Sequence, residues 1–254
     1  MIIDTHSHIY LPEFDLDRTH MLVRAENEGV GLILMPGIDN QTHFAMLKTE
    51  EDFSQKCLSM MGLHPYSVKE GYKQELKIVR GYFEKRKFVA VGETGLDFYW
   101  DRTFTKEQYE SFQAQIELAK QYDLPVVIHS RNSIDECIKV IKENQQGNLK
   151  GVFHCFSGNE KQAKEIIDLG FYLGIGGVVT FKNSGLDKVM ANIYIKNVIL
   201  ETDAPYLAPV PFRGKRNECS YLKYVAEKLG EIKNVSEGDI ARVTTKNAKE
   251  LFNI

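Results

Sequence analysis

Short β-rich apolar runs alternate along this chain with longer segments whose apolar residues recur at helical spacing, and the alternation repeats with few interruptions. Eight such runs stand out: Ile2 to Thr5, Val30 to Met35, Cys57 to Leu63, Phe88 to Gly92, Val126 to Ile128, Gly151 to Phe153, Phe171 to Ile175 and Val198 to Glu201. Between them, sets such as Tyr109, Phe112, Ile116 and Ala119, or Ala163, Ile166, Ile167 and Gly170, carry the helical period with charges on the other positions. Strands alternating with helices imply parallel pairing through right-handed crossovers, and eight units in this length predict a closed TIM (β/α)8 barrel rather than an open doubly wound sheet. After the eighth strand a Pro-rich loop, Pro205 to Pro211, leads into helical segments near Tyr221 to Leu229 and Ser236 to Phe252. No linker or repeat breaks the pattern, so residues 1–254 read as one domain.

Composition narrows the picture without setting the function. With 254 residues, 43% hydrophobic and 26% charged, the chain can bury a large core. Its formal charge of -3 gives no global basic field, so only a local patch would grip nucleic acid. Cys57, Cys137, Cys155 and Cys219 are scattered with no Cys-x-x-Cys pair, no secretory h-region follows Met1, and no apolar run approaches the roughly 20 residues that span a bilayer. A reduced, cytoplasmic protein is the expectation.

Chemistry enters where the unusual polar residues fall. His6 and His8 follow the first strand, His64 the third, Glu93 the fourth, His129 the fifth, His154 the sixth and Asp203 the eighth. In such a barrel the C-terminal strand ends open on one face, so residues remote in sequence meet there. His6 and His8, one residue apart, point the same way if the first run is a strand, which makes them a ligand pair for a divalent ion. Five histidines with two carboxylates on one rim cost free energy unless something satisfies them, and bound cations do. His20 and His43 fall in helical segments and are read as surface or packing residues. Cys155 neighbours His154 but is expected on the opposite side of its strand, as a buried thiol.

These residues also resemble a family, the TatD-type metal-dependent hydrolases, a nuclease branch of the amidohydrolase superfamily. The likeness covers the whole chain and rests on Asp4-Thr5-His6-Ser7-His8, Gly62-Leu63-His64-Pro65, Gly92-Glu93-Thr94-Gly95-Leu96-Asp97, Pro125 to Arg131, Phe153 to Gly158, Leu200 to Leu207 and Arg213 to Glu218. Small departures stand at Phe98, Ser133 and Cys219, and at Tyr10, where an acidic or amide residue is usual. The resemblance implies two divalent cations, His6, His8, Glu93 and Asp203 around one and Glu93, His129 and His154 around the other, with Glu93 bridging. A carboxylate has two oxygens and can span ions about 3.5 to 4 Å apart. An all-nitrogen-and-oxygen donor set fits zinc, manganese, cobalt or, less comfortably, magnesium.

From these positions follow expected roles. Asp203 orients or deprotonates the attacking water, and His64 contacts substrate phosphate or the leaving group. Arg131 offers a planar fork to a phosphate, or else pairs with Asp97 or Glu218. Arg213, Lys215 and Arg216 form a basic cluster suited to a nucleic-acid backbone, and Tyr99 and Trp100 either stack bases or pack. Glu201 and Asp4 are expected behind the ligands, orienting them by hydrogen bonds. The activity expected is a deoxyribonuclease acting on single-stranded ends, as a monomer by default. Two other readings stay open: an amidohydrolase acting on an amide, ester or phosphotriester, including an aminoacyl-ester on tRNA, and a non-catalytic metal-containing binding module.

Overall fold

The structure, a computed structural model, describes all residues 1–254. Eight parallel strands occur in chain order: β1 (Ile2–Asp4), β2 (Val30–Met35), β3 (Cys57–Ser59), β4 (Val91–Asp97), β5 (Val126–Arg131), β6 (Gly151–Phe153), β7 (Phe171–Ile175) and β8 (Val198–Leu200). Helices α1 (Arg18–Asn27), α2 (Asn40–Asp52), α3 (Tyr72–Phe83), α4 (Thr105–Tyr122), α5 (Ile134–Asn144), α6 (Glu160–Asp168) and α7 (Leu186–Asn192) follow the first seven strands in turn. After β8 come α8 (Leu222–Lys233) and α9 (Glu237–Phe252), the latter capped by the Ser236 hydroxyl, which accepts from the Asp239 amide. No helix is long and apolar enough to cross a membrane.

The strands form ladders β1-β2-β3 and β4-β5-β6-β7-β8. Two seams join them. A parallel bridge between Met61 and Val91 links β3 to β4, and the amide of Thr5 donates to the carbonyl of Leu200 at 3.0 Å, linking β1 to β8. Inside, Ile3, Leu34, Met60, Ala90, Val127, Val152 and Ile199 bury against one another, with Tyr172 of β7 packed beside them and Leu251 and Phe252 of α9 closing the bottom. Each strand thus contributes one apolar residue to an inner layer, the filled interior of a TIM barrel. The larger core cluster lies between strands and helices, where Phe112, Ile116 and Ala119 of α4 are buried.

The period-two alternation continues upward from that layer. Val127 is followed two residues on by His129, Val152 by His154, and Ile199 by Glu201 and Asp203, so the apolar layer gives way to polar side chains at the mouth. Element bounds differ from expectation chiefly at β4, which starts at Val91 and runs to Asp97, placing Glu93 within the strand. Gly95 is the reason β4 lies so close to β5. A Cβ there would sit 2.1 Å from the His129 carbonyl oxygen, and φ is +136°. Likewise β5 continues to Arg131, while β3 stops at Ser59, where the chain passes to the seam.

Candidate metal centre

Glu93 sits at the middle of the mouth, almost fully buried, and its two oxygens divide the histidines into two groups. Oε2 faces His6 Nε2 at 3.1 Å and His8 Nε2 at 3.7 Å. Oε1 faces His129 Nδ1 at 2.8 Å, His154 Nε2 at 3.4 Å and His64 Nε2 at 3.4 Å. Asp203 joins the first group, its Oδ1 lying 3.5 Å from His8 Nε2 and 3.8 Å from His6 Nε2. Every residue expected as a metal ligand therefore converges on one point. The ligand atoms of His6, His8 and Asp203, and those of His64, Glu93 and His129, each lie within 4.8 Å of one another.

Local backbone explains how strand ends deliver these side chains. Asp203, Cys155 and Asn132 are left-handed, at φ 57°, 48° and 54°, each just past the end of β8, β6 or β5. Such conformations are costly for non-glycine residues and turn the chain sharply, so the rim is strained where it carries polar groups. Asn217 then secures the turn after β8 by donating to the carbonyls of Thr202 and Tyr206, both at 2.7 Å.

Behind the cluster stands a second row of partners, only part of it expected. His129 Nε2 lies 2.8 Å from Asp97 Oδ2, and His154 Nδ1 lies 3.0 Å from Glu201 Oε1. His8 Nδ1 lies 3.0 Å from the Tyr10 hydroxyl. Asp97, expected as a pairing partner for Arg131, stands opposite Arg131 in the β4-β5 register, yet its carboxylate reaches His129, which lies opposite Gly95. Asp4 differs from Glu201: it reaches no imidazole. It accepts instead from the Thr202 amide at 2.9 Å and the Thr202 hydroxyl at 2.6 Å, tying the end of β8 to β1.

Cys155 also departs from expectation. Its left-handed backbone turns the side chain toward the site, where Sγ lies within 4.8 Å of ligand atoms of His154 and Glu201. Burial, with Asp203 and Glu201 adding to it, pushes its thiol well above the ordinary range. His43 packs inside α2 against the Gly62 carbonyl at 3.1 Å, and His20 is exposed.

The donor set fits divalent cations. Burial pushes Glu93 up, but the histidines facing it, His64 and His6 foremost, prevail and hold it well below the usual carboxylate range. Asp203 is likewise held down against burial by His8, His154 and His6. Burial is the largest influence on His6 and His64 and lowers both. Against burial, Glu201 and Glu93 raise His154 to about 10, and Asp97 and Glu93 raise His129. Without a cation, imidazole protons supply the positive charge facing Glu93 and Asp203, and a bound cation would take that place by displacing protons from the ligand nitrogens.

The cationic side chains divide into free and committed. Arg131 makes no ion pair: Asp97 is taken by His129 and Glu218 by Arg24, and the guanidinium stacks on exposed Tyr99 at 4.0 Å and Trp100 at 5.2 Å. Arg213 lies over Phe181 at 3.7 Å, and Lys215 is exposed at 5.9 Å from the Phe212 ring. Arg216 is committed to the fold. It donates to Asp17 at 2.7 and 2.8 Å and to the Glu13 carbonyl, and it covers Phe14.

Comparison with known proteins shows the family. The family model described as TatD related DNase matches residues 3–253. The chain is 38% identical to the metal-dependent hydrolase YabD of Bacillus subtilis over the full length of both. It is 30% identical to a protein of Erwinia tasmaniensis named 3'-5' ssDNA/RNA exonuclease TatD, covering 95% of this chain and 96% of that protein. The crystal structure of the TatD homologue YjjV of Escherichia coli superposes with a TM-score of 0.94 at 33% identity, covering 100% of this chain and 98% of that one.

Proposed function

The chain belongs to the TatD family of metal-dependent hydrolases, and on that premise we propose that it is a nuclease hydrolysing phosphodiester bonds, with single-stranded DNA ends as substrate. The observation that carries the reading is Arg131, a guanidinium with no carboxylate partner, lying against the exposed rings of Tyr99 and Trp100 at the end of β5, two residues beyond His129. A planar fork recognises a phosphate oxygen pair, and exposed Tyr99 and Trp100 offer faces to unpaired bases. Arg213 and Lys215 extend the cationic rim along the loop after β8. Arg216, expected among them, is left out because its guanidinium is already satisfied by Asp17.

The residues that would hold the cations are His6, His8, Asp203 and one oxygen of Glu93, and His129, His154 and the other oxygen of Glu93. When bound, divalent cations there would lower the pKa of a water and neutralise charge on the attacked phosphate. Asp203, the most open of the carboxylates in the cluster, orients that water, takes its proton and passes it toward the leaving oxygen. His64 acts as a donor. Its Nδ1 accepts from the Tyr66 amide at 3.0 Å, so a neutral ring carries hydrogen on Nε2, which faces His129 Nδ1 at 3.3 Å and Glu93 Oε1 at 3.4 Å and would turn that hydrogen to a phosphate oxygen entering the cluster. Asp97 and Glu201 fix the orientation of His129 and His154.

Two experiments test this. Metal-replete protein, with and without chelator, is incubated with end-labelled single- and double-stranded DNA beside a panel of esters and amides. Chelator-sensitive shortening of single strands from an end is expected; cleavage of an ester or amide alone would replace the phosphodiester reading, and chelator-insensitive inertness would favour a binding module. Second, Asp203→Asn is expected to keep its melting temperature and lose at least about 100-fold in turnover. Near-parental turnover would remove Asp203 from the proton-transfer role.

A further inference from the structure

We infer that Tyr10 is a positioning residue that presets His8 as a ligand, by locking its imidazole into the tautomer with a free lone pair on Nε2. Tyr10 is buried, and its hydroxyl donates to the Pro36 carbonyl at 2.6 Å. A carbonyl can only accept, so the single hydroxyl hydrogen is committed there. The phenol oxygen, 3.0 Å from His8 Nδ1, then has only lone pairs to offer, and Nδ1 must carry the hydrogen. In a neutral imidazole that leaves Nε2 bare.

The lock works against a local pull. Nε2 of His8 faces Asp203 Oδ1 at 3.5 Å and Glu93 Oε2 at 3.7 Å. Two carboxylates favour an N–H pointed at them, which would place a hydrogen where a cation must bind. Without the phenol, the hydrogen moves to Nε2 and has to be displaced before His8 can coordinate. Of the other rings in the cluster, His129 is hydrogen-bonded to Asp97, His154 Nδ1 faces Glu201 Oε1 at 3.0 Å without hydrogen-bond geometry, and His6 Nδ1 has no partner. Tyr10 sets the tautomer of His8 with a neutral side chain, anchored on the backbone just beyond β2. Its ring stands edge-on to His8, centroids 5.8 Å apart, so packing holds the hydroxyl in place.

The consequence for cation affinity rests on the two-cation reading above, but the tautomer does not. The full chain, labelled with 15N-histidine and stripped of metal, is examined by long-range 1H–15N NMR at pH 9. The parent is expected to show His8 with hydrogen on Nδ1 only, and Tyr10→Phe to move it to Nε2. Hydrogen on Nε2 of the parent's His8, or an unchanged tautomer in Tyr10→Phe, overturns the inference. If the variant does not fold, the parent spectrum decides. In Mn2+ titrations of the same proteins, Tyr10→Phe is expected to weaken one of two binding steps by about 10- to 100-fold and leave the other alone. Equal weakening of both steps, or of neither, contradicts a role specific to His8. A parent that binds one equivalent removes the two-cation reading while the NMR result still judges Tyr10.

Discussion

At the scale of single residues, Asp4 makes folding sensitive to pH. Burial raises its carboxyl from 3.8 to about 7, against the Thr202 hydroxyl and amide, which lower it. A carboxyl whose pKa is raised by folding favours the fold in its protonated form. Its contribution is full below the unfolded value and is lost as pH rises through about 7. Asp4→Asn keeps an acceptor for the Thr202 amide and has no charge to lose. Urea denaturation of metal-free protein at pH 5, 6.5 and 8 is therefore expected to show the variant gaining on the parent as pH rises. A difference that stays constant would mean that Asp4 titrates as an exposed carboxylate. The clustered residues themselves were legible in the sequence because histidines, Glu93 and Asp203 recur at strand ends, a position that carries meaning whatever the local packing. Their partners were less so. Asp97 faces Arg131 in the β4-β5 register and meets His129 only by a side-chain reach past Gly95, and Cys155 turns inward where its backbone is left-handed, which no residue pattern announces.

Among the elements, the segment after β8 is the least legible, since a run of basic residues reads alike whether it is solvated, structural or ligand-binding. The structure separates its members. Arg216 and Glu218 strap the segment to α1, Arg216 through Asp17 just before that helix and Glu218 through Arg24 within it at 2.7 Å, whereas Arg213 and Lys215 pair with no carboxylate. Arg216→Ala is expected to cost about 1 kcal/mol of stability, since both partners stay partly solvated and Asp17 keeps Arg24. The slope of log affinity for single-stranded DNA against log salt should not change. Lys215→Ala is expected to do the reverse, leaving stability unchanged and reducing that slope by about 0.7. Binding measured from 50 to 300 mM salt beside thermal melts checks both, and a slope altered only by Arg216→Ala would reverse the assignment. β4 was misplaced for a related reason. Glycines usually interrupt strands, but here Gly92 and Gly95 let β4 approach Val127 and His129 of β5 closely, so the strand continues where its composition suggests a turn.

For the whole molecule, alternation of apolar runs with helical segments was enough to foretell the barrel, because eight parallel units in this length have few other ways to bury both faces of a sheet. The same closure brings Glu93 between histidines that lie 87 residues before it and 61 residues after it in the chain. Its Oε2 meets His6 and His8, its Oε1 meets His129 and His154, and that division is what the account of the site depends on. Anomalous diffraction from crystals grown with Mn2+, collected above the manganese edge, tests it most directly. Two peaks flanking Glu93 are expected, one among His6, His8 and Asp203 and the other between His129 and His154. No peak at Glu93, or a single peak bound away from it, would contradict the account.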